Sequence, residues 1–393
     1  SSCLDWWYNI EEFLVFSATT ICFVEVKDIV VKTMTEDYGN PSAMHLKGVE
    51  AEKYVKEAAA AIAKTLKVQE KEIFFTSGGT ESDNWALVGT ALANCHQGKH
   101  IITTSFEHAA VSAPLNWLKE QGYELTVIPV DEKGNLSMEE LEAAMRPDTI
   151  LVSTMYVNNE VGAVVPVEAA AKLVHEKNPK TVYHVDAIQG YGKYRIYPKR
   201  AGIDLLSVSS HKIHGPKGVG FLYVSEKVKI QPLILGGGQQ KGMRSGTDNV
   251  PGIAGLGTAA RMVYENHEEK IKKLRELKGY LAENLSAMEQ VVINGPAPEN
   301  GAPHIVNASF LGVRSEVLLH TLEEKGIYVS AGSACSSHKR AASATMTAIS
   351  ADKERRESAI RFSLSEFTTK EELDYTLEEI RTVLPVLRRY ARH

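Results

Sequence analysis

From about residue 50 to residue 224, short apolar runs alternate with amphipathic stretches, and this alternation constrains the fold more than any other feature of the chain. The Ala-rich stretch 50–66, with Lys and Glu along one side, reads as a helix. A short strand at 72–75 runs into Thr76-Ser77-Gly78-Gly79-Thr80, and 81–93 reads as the next helix. Strand 100–104, helix 109–121, strand 124–129, helix 137–145, strand 149–154, helix 166–177 and strand 182–184 follow, and strands 205–208 and 220–224 close the series. Strands separated by helices demand a mostly parallel sheet covered on both faces. The expected fold class is therefore α/β, with ligands gathering at the carboxyl ends of the strands.

The texture changes after Gly236-Gly237-Gly238. Residues 251–288 are largely helical, 295–301 (GPAPENG) form a turn-rich break, and strand 305–310, helix 315–325, strands 327–330 and 360–364 and helix 370–389 follow. This reads as a smaller α/β domain. The expected division is an atypical N-terminal segment 1–16, a large domain 17–255 and a small domain 256–393.

A chain of 393 residues can bury large cores without a disulfide or metal staple. Its net charge of -5 argues against nucleic acid as the main partner and against a polybasic membrane contact. Cys3, Cys22, Cys95 and Cys335 stand far apart with no CxxC pair, which excludes a zinc ribbon and reads as a reducing, cytoplasmic compartment. The Trp-rich stretch 1–26 is interrupted by Asp5, Glu11, Glu12 and Glu25, so a signal peptide or membrane span is not expected there.

Several residues at strand ends carry chemistry. Glycines in Ser77-Gly78-Gly79-Thr80 let backbone approach a ligand, and the following helix N-terminus offers donors to a phosphate; an ordinary capped turn has the same pattern. Asp186 follows an apolar strand, as Lys212 follows Ser207-Val208-Ser209-Ser210-His211. A lysine there can form a Schiff base with an aldehyde cofactor, and pyridoxal phosphate needs a lysine, a carboxylate for its ring nitrogen and a phosphate cup. His108, ahead of a helix, can stack on a flat ring or move protons, or simply cap the helix. Cys335 lies among small residues, 330–337, where a reactive thiol would be accessible, although free cysteine is more often buried. Arg361 on a strand is a candidate for bidentate carboxylate recognition, and a surface salt bridge is an equal alternative.

Nine motifs in order carry a resemblance to a known family: YGNPS at 38–42, TSGGTES at 76–82, EH at 107–108, NNEVG at 158–162 and HVDAIQ at 184–189, then SSHKIHGPKG at 209–218, GGGQQKGMRSGT at 236–247, GSACSS at 332–337 and RFSLSEFTT at 361–369. The chain resembles the cysteine desulfurases of the class V aminotransferase superfamily, over about nine-tenths of its length. The resemblance implies a pyridoxal-phosphate enzyme of fold type I with a seven-stranded-type sheet. Lys212 would hold the cofactor as a Schiff base, His108 would stack on its ring, Asp186 would pair with the ring nitrogen and Gln189 would contact the ring oxygen. Gly79, Thr80, Ser209 and His211 would form the phosphate cup, joined by Thr247 from a second subunit of a homodimer. Asn159 and Arg361 would hold the carboxylate of L-cysteine. Cys335 would accept the sulfur as a persulfide, leaving L-alanine, and pass it to iron–sulfur cluster assembly or another thiol acceptor. The spacing from Cys335 to Arg361 is similar to that of the subgroup with a long cysteine loop. Selenocysteine lyase or another class V enzyme is the alternative within the superfamily, and a weakened sulfur-transfer scaffold is the alternative of another kind. The chain departs from the family at Val15-Phe16-Ser17, Tyr156, Ser210 and Ser365-Glu366, and it lacks a proline usual after the cysteine loop.

Overall fold

A computed structural model describes residues 14–15, 19–331, 343–350 and 352–390. Among the described residues thirteen strands run in chain order: β1 (Leu14–Val15), β2 (Ile73–Thr76), β3 (His100–Thr104), β4 (Glu124–Ile128), β5 (Thr149–Met155), β6 (Val182–Asp186), β7 (Leu205–Ser209), β8 (Gly220–Val224), β9 (Val291–Ile293), β10 (Ile305–Phe310), β11 (Ile327–Tyr328), β12 (Ser330–Ala331) and β13 (Ala359–Ser363). The helices before residue 250 are α1 (Val24–Thr35), α2 (Leu46–Leu66), α3 (Gly79–Asn84), α4 (Thr90–Asn94), α5 (Ala109–Glu120), α6 (Met138–Ala144), α7 (Val167–Lys177) and α8 (Pro198–Ala201). After it come α9 (Val250–Val263), α10 (His267–Ser286), α11 (Ser315–Glu323), α12 (Ala344–Ile349), α13 (Lys353–Glu357) and α14 (Lys370–Tyr390).

Seven strands form the main sheet in the order β2-β8-β7-β6-β5-β3-β4, and only β8 runs against the rest. Successive residues of the inner strands point to opposite faces, and both faces are apolar. Ile102, Val152, Leu206 and Phe221 feed one core, and Ile101, Leu151, Leu205 and Leu222 feed the other. The first is covered from α2, α7 and α9 by Ile62, Val174 and Leu256, the second by Trp85 and by Leu115 of α5. This is the doubly covered sheet that the alternation demands.

The helix expected at 81–93 is interrupted: α3 and α4 are joined by a π-helical turn, Trp85–Gly89. Trp85 Nε1 donates to the Gln231 carbonyl at 3.0 Å, and Gly89 O accepts from Gln231 N–H at 3.0 Å, so a neighbouring loop holds the widened turn.

A second core lies on the antiparallel sheet β12-β13-β10-β9, packed by Leu277 and Leu281 of α10, Leu318 of α11 and Leu377 and Ile380 of α14. The helical stretch 251–288 is two helices separated at Asn266, whose φ is +49°. Ile253, Leu256, Ala260 and Val263 of α9 are buried in the first core, whereas Leu274 of α10 starts the second. The division expected at 255–256 thus falls inside α9. Strand 327–330 is split into β11, which pairs with β1, and β12, which pairs with β13. Among the described residues no helix is long and apolar enough to cross a membrane.

Candidate active site

The carboxyl ends of β2, β6 and β7 meet at one place. After β2 the chain turns at Gly78, whose φ of +149° suits glycine alone. A side chain on Gly79 would put Cβ 2.3 Å from Ile188 Cδ1 and 3.4 Å from Ser209 Cβ, so α3 begins directly against the ends of β6 and β7. Thr80 stands exposed in the first turn of α3, while Ser209 is buried. Glu81 fixes this turn: Oε2 accepts the Ser77 N–H at 2.7 Å, and both oxygens pair with Arg244, at 2.8 and 3.1 Å. That pair ties the 236–247 loop to the TSGGTES turn, and Thr247, three residues beyond Arg244, is exposed.

Asp186 closes β6. One carboxylate oxygen accepts the Ile188 N–H at 3.0 Å, and among the described residues no lysine or arginine forms an ion pair with it. Burial, and then the nearby Asp83 carboxylate, push its pKa up from the ordinary range. Asp83 is fully buried on α3, with Oδ1 3.5 Å from His184 Nε2, and burial pushes its pKa up to about 7. His184 holds Ser153 Oγ at 2.7 Å and Ser207 Oγ at 2.8 Å, and burial lowers its pKa to about 4. Glu107 lies in the same interior, its pKa raised to about 8 by burial first and then by Asp186 and Asp83. A dry interior with three carboxyl groups cannot hold three negative charges.

His108 follows Glu107 and caps α5: its Nδ1 accepts the Ala110 N–H at 3.1 Å, so the neutral ring carries its proton on Nε2. The ring is exposed at the mouth of the site. Lys212 ends a single 3-10 turn after β7 and shares a cavity of about 250 Å³ with Gln189, Lys193, His304 and Thr20. The segment entering α1 straps this turn down: Thr20 Oγ1 donates to the His211 carbonyl at 2.9 Å and accepts the His214 N–H at 2.7 Å. His211 Nδ1 stands 3.4 Å from Thr19 Oγ1, and burial with the neighbouring Lys212 lowers its pKa to about 4.

Arg361, on β13, donates from Nη1 to the Asn159 carbonyl at 2.8 Å. The Asn158–Glu160 turn is built by Asn158, whose Oδ1 accepts the N–H groups of Glu160 and Val161, each at 2.9 Å. Both ends of segment 332–342 are anchored here. Before it, Ser330 pairs with Arg361 in the sheet; after it, Ser343 Oγ bonds Glu160 Oε2 and Thr345 Oγ1 accepts from Asn158 Nδ2 at 3.0 Å. Cys335 itself lies outside the described residues, as does Cys3.

The donor set fits pyridoxal phosphate. A lysine amine, a buried carboxylate and a glycine turn backed by serine and threonine hydroxyls converge at the carboxyl ends of β2, β6 and β7. Of the expected residues, Gly79 adjoins Ser209, Asp186 lies opposite Ser207 in the β6–β7 register, Lys212 and Gln189 share the cavity, and Asn159 touches Arg361. Asp83, Glu107, Glu160, Lys193 and His304 were not expected. Asp83 had a local signal, sitting one helical turn after Thr80, and Glu160 stands in the NNEVG motif beside Asn159; His304 had none. Of the departures, Tyr156 stacks on Tyr194 with ring centroids 5.3 Å apart, and Glu366 pairs with Lys270 at 3.2 Å. Ser210 Oγ is buried without a partner.

The aminotransferase class-V family model matches residues 12–376. The chain is 41% identical to the cysteine desulfurase IscS of Clostridium botulinum over 96% of its own length and 95% of that protein's. It is 43% identical to the cysteine desulfurase IscS of Serratia proteamaculans, over 96% of this chain and 93% of that one. Among solved structures it is similar to a NifS-like protein, with a TM-score of 0.90 at 38% identity, over 96% of this chain and all of that one.

Proposed function

The chain belongs to the class-V aminotransferase family and is a pyridoxal-phosphate-dependent cysteine desulfurase; on that premise we propose which of its residues hold cofactor and substrate and which one accepts the sulfur. When bound, the cofactor supplies an electron sink conjugated to the substrate Cα. Lys212 anchors it and moves the proton at Cα. Asp186 would hold a proton on the ring nitrogen, since a buried carboxylate gains most from a protonated neighbour. Gln189 would meet the ring oxygen, and His108 would hold the ring. Gly79, Thr80, Ser209 and His211 receive the phosphate, with Thr247 contributed by a second copy. Asn159 and Arg361 hold the substrate carboxylate.

Cys335 is the sulfur acceptor. Its thiolate attacks the substrate sulfur, the new S–S bond replaces the C–S bond, and the released electron pair stays on the substrate carbon, which takes up a proton to become alanine. The persulfide then passes to a thiol acceptor, and iron–sulfur cluster assembly in the cytoplasm is the destination we assign. One observation carries this reading: of the residues flanking the segment that contains Cys335, Ser330 lies opposite Arg361 in the sheet and Ser343 bonds Glu160, the neighbour of Asn159.

The assay measures alanine and sulfide from L-cysteine. Cys335→Ala is expected to abolish sulfide release while keeping cofactor absorbance, and Lys212→Ala to lose that absorbance as well. Full sulfide release by Cys335→Ala would overturn the acceptor assignment. A homodimer is supported by the apolar side chains left exposed on α1 and α2, Val24, Val31, Met34 and Leu46, and by exposed Leu235 in the loop after β8. Leu235→Asp with Met34→Asp should sediment as a monomer with weakened cofactor binding; a parent that sediments as a cofactor-loaded monomer refutes the dimer. We divide the chain at Asn266, where the helical run changes from the first core to the second.

A further inference from the structure

His304, just before β10, is 5% exposed, and its carbonyl accepts the Leu364 N–H at 2.7 Å. Its Nε2 lies 3.1 Å from Gln189 Oε1. A carboxamide oxygen only accepts, so Nε2 carries the proton and Nδ1 presents a bare lone pair. Nδ1 is buried and has no partner. The reversed assignment would bury an N–H with no acceptor, the costlier arrangement. Burial, with Lys193, Lys278, Arg361 and Lys212 nearby, keeps the ring neutral and so preserves that single proton.

The consequence falls on Gln189. With Oε1 held by His304, both N–H donors of its NH₂ remain for a ligand in the cavity it shares with Lys212 and His304. An unrestrained carboxamide presents oxygen or NH₂ with similar ease; this one is held in a single orientation. His304 also sits on the strand pair that carries Arg361, which lies opposite Asn307 in the β10–β13 register.

We propose that His304 is a positioning residue: by donating from Nε2 to Gln189 Oε1 it turns the Gln189 NH₂ toward the ring oxygen of pyridoxal phosphate and links the ring seat to the strands that hold the substrate carboxylate. This rests on reading Gln189 as the ring contact. Removing the donor leaves the amide free to turn its oxygen, which repels the ring oxygen.

The test is equilibrium titration of apoprotein with pyridoxal phosphate, with the absorbance maximum of the bound cofactor as a second readout. His304→Leu should bind about tenfold more weakly, what one hydrogen bond contributes, with a displaced maximum. His304→Gln, which keeps an N–H donor, should stay within about threefold of the parent. Gln189→Ala should match His304→Leu, and the double variant should lose no more than either alone. Parent-like binding and spectrum in His304→Leu, equal losses in the leucine and glutamine variants, or additive losses in the double variant would each overturn the proposal. Should His304→Leu fail to fold, ¹⁵N NMR of the parent apoprotein decides: an Nε2–H tautomer supports the proposal and an Nδ1–H tautomer overturns it. A parent that binds no pyridoxal phosphate sinks the cofactor reading instead, and the tautomer in apoprotein still reports on the His304–Gln189 bond.

Discussion

Glu107 makes the folded state pay for alkaline conditions, and replacing it with Gln should reverse the order of stability between parent and variant as pH rises. Glu107 Oε1 accepts from Thr104 Oγ1 at 2.6 Å and from the Met155 N–H at 3.0 Å, while Oε2 is buried without a partner. Burial holds the carboxyl neutral, from an ordinary 4.5 up to about 8. A raised folded-state pKa means the folded chain binds the extra proton, so stability is fully present below pH 4.5 and is lost as pH climbs toward 8. At about 1.4 kcal/mol per pKa unit, the full loss is about 5 kcal/mol. Glu107→Gln keeps the oxygen that accepts both bonds and has no charge to bury, but it places an NH₂ where Oε2 stands, at a cost of about 2 kcal/mol. The variant should therefore melt below the parent at pH 5 and above it at pH 8.5, the curves crossing near about pH 6. The assay is the melting temperature of cofactor-free parent and variant across that range; about 3 kcal/mol at the alkaline end corresponds to roughly 6–12 °C for a domain of this size. A difference between the two that stays constant with pH would refute the reasoning, because Glu107 would then titrate alike in folded and unfolded chains.

Three other outcomes follow from single contacts. Ser210→Ala removes a buried hydroxyl without a partner and should raise stability by about 1 kcal/mol, read as an increased urea midpoint at unchanged slope. Arg361→Lys keeps the charge but loses the planar fork and the bond to the Asn159 carbonyl, so KM for L-cysteine should rise about tenfold or more with a smaller change in kcat. Arg244→Ala breaks a two-point pair with Glu81 in which both side chains are about one-fifth exposed; cofactor affinity should fall more than thermal stability, and Arg244→Lys should restore only part of it.

What the sequence made legible is what strand periodicity marks. Asp186, Ser209 and Lys212 could be placed because each ends or follows an apolar run, and a doubly covered sheet brings such ends together wherever its strands are adjacent, as β6 and β7 are. Helix α1 was not legible: Val24, Val26, Ile29, Val30 and Val31 have the β-branched character of a strand, and only packing against α9 favours the helix. The break at Asn266 was hidden for a related reason, since asparagine enters the left-handed region without the glycine or proline that announces a stop. The buried acids were hidden more deeply. Asp83 and Glu107 look in sequence like the solvated carboxylates around them, and their chemistry comes from the absence of water, which no spacing encodes. His304 lies 115 positions from Gln189, so no local pattern joins them. Residues that would touch the cofactor are thus marked by where strands end, whereas those that set charge and orientation around it are marked only by the core that encloses them. That asymmetry is why substitutions at Glu107 and His304 discriminate among accounts of this site better than further substitutions at Lys212, whose loss every lysine-based account predicts alike.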